Sequence, residues 1–111
     1  MSFRNQEYIL HIANCGGISR AAEQLHISQP ALSKFLSKIE DEVGATLFIR
    51  TKNSFYPTEA GIIYLDTARK ILRCRDEMLS QIAQLNKNEQ ELNLTISLQK
   101  IRAPRLSYYI H

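Results

Sequence analysis

Apolar residues recur at helical spacing along most of this chain, and polar punctuation divides them into elements. Phe3, Tyr8, Ile9, Ile12 and Ala13 predict a first helix over about 2–14, closed by Gly16 and Gly17, which supply the backbone freedom a helix stop needs. From Ile18 to Glu40 the segment ISRAAEQLHISQPALSKFLSKIE predicts two short helices joined by a tight corner. Ser19 is placed to cap the first, its hydroxyl accepting from free amides of the opening turn. Ala21, Ala22 and Leu25 form that helix's apolar side, with Ala22 small where two helices must cross closely. The corner is His26-Ile27-Ser28. A left-handed backbone is wanted there, and histidine is among the non-glycine residues enriched in it. Ser28 is placed to cap the second helix, with Pro30 in its first turn, where a missing N–H costs nothing. Leu32, Phe35, Leu36, Ile39 and Val43 predict its buried face. Gln29, Ser33 and Ser37 stand four apart on the opposite face, flanked by Lys34 and Lys38. The pattern is that of a helix-turn-helix; an ordinary helix hairpin in a helical core is the alternative.

Leu47-Phe48-Ile49 is a short run of strand formers, and Phe55-Tyr56 a second. Arg50 to Ser54 between them is polar, with Asn53-Ser54 a turn. The resulting hairpin follows directly on the helix-turn-helix, in the place of a wing. Pro57 breaks the strand, Thr58 caps a new helix, and Glu59 sits in its first turn, where an acid is favourable. That helix is predicted over about 58–88, roughly 45 Å at about 1.5 Å per residue. Ile71, Met78 and Leu85 are seven apart, as are Leu65, Leu72 and Leu79; Ile62, Ala68 and Ile82 add to them. Two heptad lines make a wide apolar stripe. It needs a partner, and a second copy of itself is the simplest one; a helix folded back on its own domain is the alternative. After the polar stretch 86–90, Leu92 to Leu98 alternates apolar and polar and predicts a strand. The expected organisation is therefore a winged helix-turn-helix domain over 1–58, a linker and dimerisation helix over 59–90, and the start of a truncated further domain over 91–111.

Composition changes this picture little. The chain has 111 residues and a net charge of +3, too small alone to identify a nucleic-acid partner. The distribution says more. From Ser2 to Ile39 the charges are Arg4, Glu7, Arg20, Glu23, Lys34 and Lys38, and Glu40-Asp41-Glu42 then closes the second helix of the corner. Acids there oppose the helix dipole, so that end is expected to point away from phosphate. A helix that buries one side and offers amides, hydroxyls and ammoniums on the other suits the major groove of double-stranded DNA. Cys15 and Cys74 form no CxxC pair and have no histidine at ligand spacing, so neither a metal nor a disulfide is expected. His11, His26 and His111 are scattered, and no Gly-rich phosphate loop exists. An enzyme and a cofactor are therefore not expected. Arg4, Asn5, Gln6 and Glu7 interrupt any signal-peptide run. No apolar stretch approaches a membrane span, and a reducing cytoplasm is the expected location.

Together these residues resemble the LysR-type transcriptional regulators, over about Phe3 to Leu98. The specific parts are SRAAEQLHISQPALSKFLSKIEDEVGATLF and TEAG at Thr58 to Gly61, with AAE, SQPALS and LF at the family's mutual spacing. The resemblance implies a mainly α fold. A winged helix-turn-helix, of three helices and a small β-hairpin wing, precedes a long dimerisation helix. An effector-binding domain of two α/β lobes then follows, of which only the first strand, Leu92 to Leu98, would stand in this chain. The implied function is sequence-specific DNA binding and regulation of transcription as a dimer, or as a higher oligomer through the missing domain. A small-molecule effector is implied only if that domain exists in the full protein.

By position, Gln29, Pro30, Ser33 and Lys34 match recognition-helix residues that face DNA. Gln29 suits an adenine edge, Pro30 a thymine methyl and Ser33 a base or phosphate, while Lys34 and Lys38 suit phosphates or a guanine edge. Ser19 and Arg20 open the preceding helix and suit a backbone phosphate. Arg50 matches the basic residue that begins the wing. Where the family usually carries further wing arginines this chain has Asn53 and Ser54 beside Lys52, which leaves a weaker contact through Lys52 or Asn53. The dimerisation residues expected on the long helix are Leu65, Ala68, Ile71, Leu72, Met78, Leu79, Ile82 and Leu85. A shortened regulator that forms mixed dimers with full-length relatives is the alternative function.

Overall fold

The computed structural model describes residues 2–99. The elements are α1 (Arg4–Cys15), α2 (Ile18–Leu25), α3 (Gln29–Val43), β1 (Phe48–Arg50), β2 (Phe55–Pro57) and α4 (Glu59–Gln99). The chain divides between Cys74 and Arg75, inside α4, into two compact units.

In the first unit, local chemistry sets the helix ends. Gly16 closes α1 with φ 70° and Gly44 closes α3 with φ 76°, left-handed backbone that glycine adopts without a Cβ penalty. His26 does the same for α2 at φ 58° and ψ 40°. Its amide donates to Glu23 O at 3.2 Å, and that of Ile27 donates to Ala22 O at 3.0 Å. Ser28 Oγ then accepts from Ala31 N at 3.1 Å and starts α3. Ser28→Ala is expected to lower stability by about 1 kcal/mol, read as a fall in the thermal midpoint. Ser19 does not cap α2. The helix begins two residues earlier than its hydroxyl requires, with Gly17 at the cap position and no side-chain bond there. Burial of Ile18 in the core sets that start.

The core takes Ile9 and Ile12 from α1, Ile18, Ala21 and Ala22 from α2, and Leu32, Leu36 and Ile39 from α3. Leu47, Phe48, Leu65 and Ala68 complete it. Each fully buried isoleucine or leucine contributes about 2 kcal/mol by leaving water. Phe35 is half-buried, its ring tilted against Tyr8 at 5.1 Å between centroids. Val43, expected inside, is 48% exposed, because it lines a solvent-open groove with Ala60, Ile63 and Tyr64 at the start of α4.

β1 and β2 pair antiparallel in the register Phe48↔Pro57, Ile49↔Tyr56 and Arg50↔Phe55. A lone hairpin is marginal in water, and three bonds seat this one. Leu47 N donates to Glu40 Oε2 at 2.7 Å, which ties the hairpin to the end of α3. Thr58 N donates to Leu47 O at 3.0 Å, and Thr58 Oγ1 donates to Thr46 O at 2.6 Å. The same hydroxyl accepts from Gly61 N at 3.0 Å, so Thr58 caps α4 as the sequence predicts.

Leu65 and Ala68 are 4% and 1% exposed. They belong to this unit's core and have no surface left for a second chain, although they belong to the same apolar stripe as residues that do. Ile71 and Leu72, one turn on, are half-buried.

The second unit, described from Arg75 to Gln99, is one stretch of helix. Met78, Leu79, Ile82 and Leu85 are exposed on it. Here the structure departs from the sequence reading. The predicted helix end near residue 88 and the strand over Leu92–Leu98 are replaced by continuous α4. A strand needs a neighbour to satisfy its backbone groups, and among the described residues the only sheet is β1–β2. A helix satisfies those groups within itself, and Thr95 Oγ1 adds a bond to Glu91 O at 2.9 Å. The cost is amphipathicity: Leu94 and Leu98 are left exposed. Residues 100–111, with Lys100, Arg102 and Arg105, lie outside the described residues.

Candidate nucleic-acid interface

The two faces of α3 separate cleanly. Leu32, Leu36 and Ile39 are buried, while Gln29, Pro30, Lys34, Ser37 and Lys38 are exposed and Ser33 is half-exposed. The Ser28 cap and the left-handed His26 fix where this helix starts, and so which residues stand at its open end.

Beside that end lies an open cleft of about 460 Å³. It is walled by the start of α2, the start of α3 and the hairpin loop. Six predicted residues from these separate stretches line it: Ser19, Arg20, Gln29, Arg50, Lys52 and Asn53. Pro30, Ser33, Lys34 and Lys38 do not line the cleft; they follow on along α3. Arg20, Arg50 and Lys52 are the charged residues of the lining, with no acid among them. Among the described residues Arg20, Lys34, Lys38 and Lys52 make no ion pair. Like charges gathered in a concave surface focus a positive potential.

Two features of the cleft escaped the sequence reading. The loop tip is clasped by Thr51, whose amide donates to Ser54 O at 2.8 Å and whose hydroxyl meets that of Ser54 at 2.5 Å. This leaves Lys52 and Asn53 outermost. Second, Arg50 is held from below. Its guanidinium carbon lies 5.9 Å from the centre of the Phe55 ring, and Phe55 stacks on buried Phe48 at 5.0 Å and 22°. The available signal was an aromatic residue at Arg50's cross-strand position, but the register had to be known to use it. Phe55→Leu should therefore loosen Arg50 while Phe55→Tyr should not. The expected measurement is a DNA salt dependence that is shallower for the leucine variant alone.

The helix pitch also corrects the view that no histidine stands near a cysteine. His11 and Cys15 lie one turn apart on α1, and both meet Gln24 Oε1, at 2.8 and 3.3 Å. Cys15 and Cys74 are free thiols. No helix of the described residues is long and apolar enough to cross a membrane.

Comparison with known proteins agrees with this geometry. The family described as bacterial regulatory helix-turn-helix protein, lysR family, matches residues 3–62. The chain is 44% identical over 81 residues to the nitrogen assimilation regulatory protein nac of Escherichia coli K12. That match takes in 72% of this chain and 27% of the relative, so the chain spans about a quarter of that relative's length. Among solved structures it is similar to the BenM DNA-binding domain in complex with catB site 1 DNA. The TM-score is 0.70 at 28% identity, covering 78% of this chain and 96% of that one. It is also similar to full-length CbnR complexed with its target DNA, with a TM-score of 0.66 at 30% identity, covering 75% and 29%.

Proposed function

Since this chain belongs to the LysR family of bacterial regulatory helix-turn-helix proteins, we propose that it binds double-stranded DNA sequence-specifically as a dimer and so regulates transcription. The observation that carries the reading is the exposed, acid-free start of α3 beside a cleft that gathers Arg20, Arg50 and Lys52. In this reading α3 enters the major groove. Gln29 reads a base edge, Pro30 packs on a thymine methyl and Ser33 bonds a base or phosphate. Lys34 and Lys38 neutralise phosphates along the groove. Ser19 and Arg20 hold one backbone strand, and Arg50, Lys52 and Asn53 touch the next. The exposed heptad residues Met78, Leu79, Ile82 and Leu85, together with Ile71 and Leu72, supply the surface on which two copies pair. Spacing between half-sites then follows from that pairing.

Selection of bound sites from random DNA tests the reading directly. A two-fold symmetric site is the expected result, and failure to enrich any sequence would overturn it. Electrophoretic shift titrations assign the roles. Lys34→Ala should weaken binding to all sequences and lower the salt slope by about one. Gln29→Ala should instead relax preference at one base position, at a cost of about 1–3 kcal/mol for the preferred site.

A further inference from the structure

We propose that His11, Cys15 and Gln24 form a binding site for a thiophilic divalent cation of the zinc class. His11 and Cys15 stand four apart on α1, so the helix pitch brings both to one face. Gln24 comes from α2, across the Gly16-Gly17 turn. Its Oε1 lies 2.8 Å from His11 Nε2 and 3.3 Å from Cys15 Sγ. An amide oxygen only accepts, so the ring nitrogen and the thiol both present hydrogens to it. A ring nitrogen and a sulfur from α1 thus both reach one amide oxygen from α2.

Exchange of those hydrogens for a cation is chemically balanced. The thiol proton leaves to solvent, the imidazole proton moves to Nδ1, and Gln24 Oε1 turns a lone pair from two hydrogens to one ion. Thiolate, imidazole and a neutral oxygen form a set that favours zinc or cadmium over magnesium or calcium, which prefer all-oxygen ligands. A tetrahedral ion then has one position left, which water fills. Among the described residues no group of three or more His, Cys, Asp or Glu is placed to hold a metal ion, so the site depends on the amide oxygen as its third arm. Of the three residues, Cys15 also lines the cleft, with Ser19 and Arg20. The site's chemistry does not depend on DNA binding, and neither does its test.

The test uses the full chain carrying Cys74→Ser, which removes the exposed second thiol. The reduced, metal-free protein is titrated with cadmium alone. One ion per chain is expected, with the ultraviolet charge-transfer absorption of a cadmium–thiolate bond, displaced by zinc. Adding His11→Ala should weaken binding at least about tenfold. Gln24→Glu, which makes the third arm anionic, should strengthen it. Circular dichroism establishes that each variant keeps its helices. Absence of the absorption overturns the proposal. Equal affinity with and without His11 also overturns it, and means that the Cys15 thiol takes an adventitious ion only.

Discussion

Gly61→Ala is expected to unfold the winged unit, or to lower its stability by about 3 kcal/mol or more. A Cβ at position 61 would lie 2.0 Å from Leu47 O and 3.0 Å from Leu47 C, with Pro57 Cβ at 3.1 Å. The first of these is far inside any van der Waals contact, and the obstacle is backbone. Leu47 cannot yield cheaply. It is fully buried, its amide is tied to Glu40, and its carbonyl takes the Thr58 amide. Relief requires lifting the first turn of α4 off the hairpin, which breaks the two Thr58 bonds and uncovers Leu47. Overpacking typically costs about 1–3 kcal/mol where side chains can adjust; here they cannot. Small domains have little stability to lose, out of about 5–15 kcal/mol for proteins in general. Gly17→Ala is the control, since nothing lies within 4 Å of its added methyl. Urea melts of the two variants decide the matter. An unchanged midpoint for Gly61→Ala would mean that α4 does not cross the hairpin as described.

Ile82→Glu is expected to convert the proposed dimer to monomer and to weaken binding to a two-half-site DNA by about a hundredfold or more. Ile82 is exposed within this chain, so the substitution removes little from the folded monomer. In a paired apolar seam a carboxylate has no water and no partner, and its burial costs more than the seam gains. Two linked half-site contacts exceed one by about 10²–10⁴ in apparent affinity, and a monomer loses that factor. Ser80→Glu places the same charge about 200° away around the helix at about 100° per residue, where dimer and affinity should persist. Sedimentation and shift titration read both effects. A dimer that survives Ile82→Glu would remove the stripe from the interface and leave the proposed half-site geometry without support.

Much of this molecule is legible from local sequence. Ser28, Pro30, the left-handed His26 and the glycines at 16 and 44 fix four helix ends, because each acts on backbone groups within a few residues of itself. The apolar rows of α3 are legible for the same reason: side chains three and four apart share a face whatever lies opposite. The cleft's residue types were legible too, one stretch at a time.

What waited for the tertiary structure is whatever depends on a distant segment. Leu65 and Leu79 stand on one heptad line, yet core contacts claim the first and leave the second exposed. Gly61 stands in a recognisable TEAG, but its reason is the Leu47 carbonyl fourteen positions earlier. Leu92 to Leu98 has the alternation of a strand, and without a strand beside it the backbone closes its own bonds as helix. Arg20 and Arg50 line one cleft only because the hairpin lies beside the start of α2, and His11 and Cys15 reach Gln24 only because two helices pack together. Sequence order determines which groups can bond within a turn; only the packed chain determines which distant groups share water, charge or contact.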